Sequence, residues 1–242
     1  MMRVRTLFLN VLVVMSALLA TPRALALDND KLLNRPFFDN KRFHWGFSIG
    51  THIQDFIFTH NGYITDNGEE WFMQVPDINM GFNVSLLGDM RLAKHFNLRL
   101  APGMYFGSKA VRFHELNSDK YETQDVKSAL ITVPLEIKAS ALRHGNIRPY
   151  VIGGVMATFD VTKKRSDFLR FKTTDFMLEI GFGMDIYLPF FKLIPELKFC
   201  FGLTDALQHN RGDLNNDPSM TKYTQSIRKV RQQMFVLSFY FE

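Results

Sequence analysis

His44, Ser48 and His52 stand four residues apart, and an extended strand carrying them puts all three on one face, because successive strand side chains point to opposite sides. A serine sharing a wall with histidines is the raw material of nucleophilic catalysis, the imidazole taking the hydroxyl proton as the oxygen attacks. The same residue types also suit any polar wall that needs small, hydrogen-bonding groups. A larger polar set recurs at the same period further along. Arg99, Lys138, Arg148, Lys192 and Lys198 are positive, and Glu136, Asp175, Glu179, Asp185 and Glu196 are negative. Five of each sign is the balance expected where charges must pair in a low-dielectric interior, since an unpaired buried charge costs several kcal/mol. Cys200 falls in the same phase. As the single cysteine it excludes an intramolecular disulfide and most cysteine metal sites, and a small filler is the expected role.

Segments of strict two-residue alternation must position these groups. Phe43, Trp45, Phe47, Ile49 and Ile53 alternate with His44, Gly46, Ser48, Gly50 and His52. Further runs begin near Ile78, Phe96, Ile131, Arg148, Asp175 and Lys192. The sixth is the cleanest, with Phe176, Leu178, Ile180, Phe182, Met184, Ile186 and Leu188 set against Asp175, Glu179, Gly181, Gly183 and Asp185. The C-terminal run places Phe235, Leu237, Phe239 and Phe241 on one side and Val236, Ser238 and Tyr240 on the other, which makes eight strands.

The connections alternate in length. Short ones run from Gly88 to His95, Leu142 to Asn146 and Leu188 to Phe191. Long polar ones run from Thr59 to Asp77, Ser108 to Asp125, Thr162 to Thr174 and Asp205 to Arg228. Outer-membrane barrels have short periplasmic turns and long external loops. The expectation is an all-β fold: an eight-stranded antiparallel transmembrane β-barrel with both chain ends periplasmic. A soluble barrel of the lipocalin kind would be apolar inside. Here the polar face is the one carrying glycines and balanced charges, as a narrow interior requires. Eight strands enclose a space that side chains fill, so the lumen is expected to be plugged and not to conduct.

Residues 1–26 read as a secretory signal: Arg3 and Arg5, an apolar run from Leu7 to Ala20, then Ala24-Leu25-Ala26. Leu27 to Arg42 reads as a periplasmic spacer, and 43–242 as the barrel. Arg3, Arg5 and Arg23 hold three of the 29 basic residues, against 24 acidic ones, so the mature chain is close to neutral. That argues against a nucleic-acid partner. No cofactor, metal or small-molecule substrate is expected. In the spacer, Pro36, Phe37 and Phe38 suit docking to a partner, the alternative being an unstructured leader.

Outside the strands, Lys163, Lys164, Arg165, Arg170 and Lys172 cluster in the third long connection. Arg228, Lys229 and Arg231 lead into the last strand. Lys163, Lys164, Arg165, Arg228, Lys229 and Arg231 are candidate donors to lipopolysaccharide phosphates, for which Arg and Lys are fitting partners; ordinary solvated loop charge is the alternative. Arg211-Gly212-Asp213 is too short to carry an adhesive function. Trp71 and Phe72 suit an interfacial aromatic girdle.

Two stretches carry a family look. The opening LLNRPFFDNKRFHWGFSIGTHIQDFIF, with its N-x-P-x-F-D-x-K spacer, then F-H-W-G-F-S-I-G and D-F, resembles the start of PorT-type proteins. The central ITVPLEIKASALRHGNIRPYVIGGV is similar to the fourth and fifth strands of that family, a segment shared by many outer-membrane barrels of Bacteroidetes-like bacteria. Trp45 stands where Phe or Tyr is common, and Gln54 precedes Asp55 in the D-F motif. The resemblance implies a place in the type IX secretion system, which exports proteins bearing a C-terminal signal domain and serves gliding motility in some relatives. It implies a non-enzymatic, accessory or assembly role rather than the pore, with other secretion proteins as partners and no catalytic residues. The alternatives are a general structural or adhesin barrel and a small lipid-modifying barrel enzyme.

Overall fold

The structure, a computed structural model, describes residues 34–60, 71–74, 79–115, 121–162, 172–208 and 226–242. The signal segment, Lys163, Lys164, Arg165, Arg170 and Arg211-Gly212-Asp213 lie outside the described residues, as do the side chains of Trp71 and Phe72.

The described chain is almost wholly strand: β1 (Phe43–His60), β2 (Trp71–Gln74), β3 (Met80–Arg91), β4 (Phe96–Leu100), β5 (Gly103–Glu115), β6 (Tyr121–Ser140), β7 (Ile147–Asp160), β8 (Thr174–Tyr187), β9 (Lys192–Gly202) and β10 (Ile227–Phe241). All pairings are antiparallel. β4 and β5 form one pass, broken at Ala101-Pro102 because proline has no N–H to give the ladder. The register runs through the break: Leu100 faces Leu135 and Gly103 faces Thr132 on β6. β2 and β3 both pair with β5 and make another single pass. Ten assigned strands are therefore the eight expected. β1 pairs with β10 on one edge and with β3 on the other, which closes the barrel.

The two faces separate as the alternation predicts. Trp45 is 76% exposed, Met80 74% and Leu86 67% on the outside, whereas Arg99, Glu136, Lys138 and Lys198 are at most 1% exposed within. A soluble barrel with this inversion would leave its apolar side chains in water. Among the described residues no helix is long and apolar enough to cross a membrane.

One end of the barrel carries the three short turns and both Phe43 and Phe241; it is called the turn end below. Gly145, at φ 56°, sits in the tight turn that bridges His144 to Ile147, a left-handed position that favours glycine. The other end differs from the expected pattern. Ser108 to Asp125 is mostly not a loop: β5 and β6 stay paired out to His114↔Tyr121, and β2 adds to them from Trp71↔Glu115 to Gln74↔Arg112. Beyond the lipid band neither strand face needs to be apolar, so the two-residue signal fades while the backbone ladder continues.

Candidate functional site: a filled lumen corked at its turn end

Inward residues of β3, β4, β6, β8 and β9 form a stack of ion pairs along the barrel axis. Nearest the turn end, Lys138 Nζ donates to Asp185 Oδ1 at 2.7 Å and to Oδ2 at 2.8 Å. Lys192 lies 4.0 Å from Asp185 Oδ2 and pairs with Glu242, which also lies 3.4 Å from His44 Nδ1. One layer up, Arg99 NH1 donates to Glu196 Oε2 at 2.5 Å, and its Nε lies 3.5 Å from Asp89 Oδ2. Tyr150 donates its hydroxyl to the same Glu196 oxygen. The Arg99 guanidinium lies 5.4 Å from the Tyr150 ring and 5.2 Å from the Tyr240 ring, both within cation–π range. Above it, Lys198 Nζ donates to Glu136 Oε1 at 2.9 Å and to the Tyr240 hydroxyl at 3.3 Å, and lies 3.6 Å from Glu196 Oε1.

Toward the far end the filling turns apolar, with Tyr105, Leu130, Met156, Met177, Met234 and Val236 packed around Cys200. The Cys200 thiol donates to Glu179 Oε1 at 3.4 Å. Asp175 sits at the rim, where its Oδ1 accepts from the Thr204 hydroxyl and from the Phe176 N–H. Beyond it the chain after β9 folds inward. The Ala206 N–H donates to the Val230 carbonyl at 2.9 Å, Ala206 and Leu207 are buried, and a cavity lined by Phe56, Ser128, Thr158, Asp175, Ala206 and Gln232 remains at this end.

The turn-end mouth is closed by residues placed in the expected spacer. Phe38–Asn40 form a single 3-10 turn. Phe38 is buried, its ring 4.6 Å from that of His44 and 3.8 Å from the Arg35 guanidinium carbon. Asp39 is the latch. It accepts the Tyr187 hydroxyl at 2.6 Å, lies 3.7 Å from both Arg143 and Arg148, and its backbone carbonyl takes Arg91 NH1 at 2.7 Å. Asn34 bonds Asn146 and the Tyr187 carbonyl, and Arg35 bonds the Glu242 carbonyl, each at 3.0 Å. Phe38 is thus a cork and not an exposed docking residue; Phe37 remains outside, 77% exposed.

Most of the expected lumen set therefore meets as a network, with two corrections. Arg148 is not in it. At the first inward position of β7 its side chain reaches the mouth, where it bonds the Ala141 and Lys94 carbonyls at 2.9 Å. Asp175 is inward but holds the Thr204 hydroxyl, whereas Glu179 accepts the Cys200 thiol and also lies within electrostatic reach of Lys198. Asp89 and Glu242 were missed. Both continue the inward parity of their strands, a signal hidden for Asp89 because buried Leu87 made the strand look finished at Gly88. The Ser–His idea loses its geometry. Ser48 Oγ lies 2.6 Å from Ser85 Oγ, His44 Nε2 donates to the Lys41 carbonyl at 3.2 Å, and His52 packs on Tyr105. Four-residue steps along a strand are about 13 Å, too far for proton transfer within hydrogen-bond reach. No cluster of three or more metal-ligating acids, histidines or cysteines occurs among the described residues.

The latch makes a measurable claim. Asp39→Ala is expected to lose contacts worth about 1.5–3 kcal/mol for hydrogen bonds to a charged group. Trypsin cleavage of the detergent-solubilised protein at Lys41 and Arg42 should then accelerate at least about tenfold. An unchanged cleavage rate would show that Phe38 alone holds the segment.

Comparison with known proteins fits this geometry. A family profile described as the outer membrane protein beta-barrel domain matches residues 29–208. The chain belongs to that family. It is an outer-membrane β-barrel, so the apolar exterior faces acyl chains. No curated protein matches it. Among solved structures, it is similar to the outer membrane protein OprG of Pseudomonas aeruginosa, with 13% identity, a TM-score of 0.43, and coverage of 82% of this chain and 92% of that one. It is also similar to the N-terminal β-barrel domain of OprF from the same organism, at 13% identity and a TM-score of 0.33, covering 80% of this chain and 96% of that one.

Proposed function

We propose that this barrel is a PorT-type, non-enzymatic part of the type IX protein secretion system. In this reading it is needed for export of cargo with a C-terminal signal, in an accessory or assembly role and not as the pore. The turn end faces the periplasm and the far end faces outward, the arrangement usual for barrels with short turns at one end. The observation that carries the reading is the lumen: charged pairs fill it and Phe38 corks the turn-end mouth. A barrel filled in this way works through its surfaces. The N-x-P-x-F-D-x-K segment adds support, because its Asn34, Phe38 and Asp39 are the residues that close the mouth. Catalysis has no place in the proposal, since Ser48 is engaged by Ser85.

Deleting the gene should leave cargo proteins unprocessed inside the cell, and restoring the chain should recover their export. Normal export from the deletion strain would remove the secretion role. The extension of β2, β5 and β6 past the barrel favours a second reading, a structural or adhesive barrel. Trimming that arm would then abolish attachment and leave secretion intact.

A further inference from the structure

On the outer surface of β10 the lipid-facing stripe ends abruptly. Phe241, Phe239, Leu237 and Phe235 give way, in the same phase, to Gln233, Arg231 and Lys229. The facing outward rungs of β1 are Ile53 opposite Phe235, Asp55 opposite Gln233, Ile57 opposite Arg231 and Thr59 opposite Lys229. On β9 the outward neighbours are Phe199 and Phe201, and Phe199 meets Phe235 edge to face at 4.7 Å. Together these strands form a surface cleft bounded by Ile57, Thr59, Phe201, Lys229, Arg231 and Gln233. Ile57 and Phe201 give it an apolar floor, 44% and 38% exposed.

The rim is not uniform. Across the barrel, the outward residues at the corresponding level of β7, β8 and β9 include Phe159, Val161, Phe176 and Leu203, all apolar. Among the described residues, the outward positions of β7 and β8 at this level carry no such pair of cations. Two cations one residue apart on a strand face sit about 6.6–7 Å from each other along the chain, a spacing that lets both side chains reach one dianionic group. Asp55, the nearest acid on this face, uses Oδ1 to accept the Phe56 N–H at 2.8 Å and does not line the cleft.

We propose that this cleft binds one acylated glucosamine lipid through a phosphate monoester held between Lys229 and Arg231. The Thr59 hydroxyl donates to the same phosphate, and an acyl chain lies over Ile57 and Phe201 toward Phe199 and Phe235. Arginine's fork suits two phosphate oxygens at once, whereas lysine supplies a point charge. The apolar floor sets the choice of a lipid over a free phosphate, and the pair of cations sets the choice of a dianionic monoester over a monoanionic diester. The assignment rests on the outward orientation of this end proposed above, but the binding itself does not require it.

The test uses the full mature chain purified in detergent and native mass spectrometry. The probes are a phosphorylated hexa-acyl glucosamine disaccharide, its dephosphorylated form and phosphatidylglycerol. The wild-type protein should retain the phosphorylated glycolipid at least about tenfold more than either comparison lipid. K229Q/R231Q should lose that preference, while K127Q, a cation on the outside of β6, should keep it. D55N should strengthen retention. Equal retention of phosphatidylglycerol, or a double variant that binds as wild type does, overturns the proposal. Heat-modifiable migration on gels confirms that each variant is folded. Surface labelling of Lys229 in intact cells separately reads the orientation, so a wrong orientation and an absent site give different results.

Discussion

Replacing Arg99 by alanine is expected to cost about 3–5 kcal/mol of stability, the range for removing one partner of a buried ion pair. Arg99 is fully buried, and its guanidinium meets Glu196 and Asp89 while lying near the rings of Tyr150 and Tyr240. Its removal leaves two carboxylates without their cation in a space water does not readily enter. The measurement is equilibrium unfolding in urea of the protein refolded in detergent micelles, read by gel mobility and tryptophan fluorescence. Arg99→Met, which keeps much of the bulk, should recover little, because the lost term is charge. If Arg99→Met unfolded at the wild-type urea concentration, packing and not pairing would hold the lumen. Glu196→Gln combined with Arg99→Met should be milder than Arg99→Met alone, since removing both charges takes away the unpaired remainder.

The second large effect separates a lipid-facing exterior from a wet one. Ile180, on β8, points outward and pairs with Gly153 and Phe199 near the middle of the barrel wall. Ile180→Arg is expected to cost about 2–4 kcal/mol, the range for arginine at the bilayer midplane of a β-barrel. In water the same change at a half-exposed position would sit within about 0.5 kcal/mol. Folding into liposomes and unfolding with denaturant gives the number. A small effect at Ile180 together with full solubility without detergent would contradict the acyl-chain environment.

The faces were the legible part of the sequence. On β8, Asp175, Glu179 and Asp185 are buried while Phe176, Leu178, Ile180 and Phe182 are exposed, as strict alternation requires. The membrane environment sharpens that signal, because one face must be apolar along its whole length. Where lipid stops, the signal stops too, and the outer parts of β2, β5 and β6 went unread for that reason. The lumen network was legible as a set of charges but not as partners. Which cation meets which acid depends on strand tilt and side-chain reach, so Arg148 turned to the mouth and Asp89 entered in its place. The cork was hidden more deeply. Pro36, Phe38 and Asp39 show no periodicity, and their holders, Arg91, Arg143, Arg148 and Tyr187, are scattered over one turn and three strand ends.

The seam between β1 and β10 has a consequence for how the molecule comes into being. It zips residues near one end of the barrel sequence to residues near the other, from Phe47↔Phe241 to His60↔Ile227. Contacts so distant along the polymer carry the greatest loop-closure entropy and make folding slow. Until they form, two long rows of unsatisfied amides stand open, ready to stick to a neighbour. Biogenesis is therefore a race between suturing and aggregation, and a newly made copy must be chaperoned until its first and last hairpins have met.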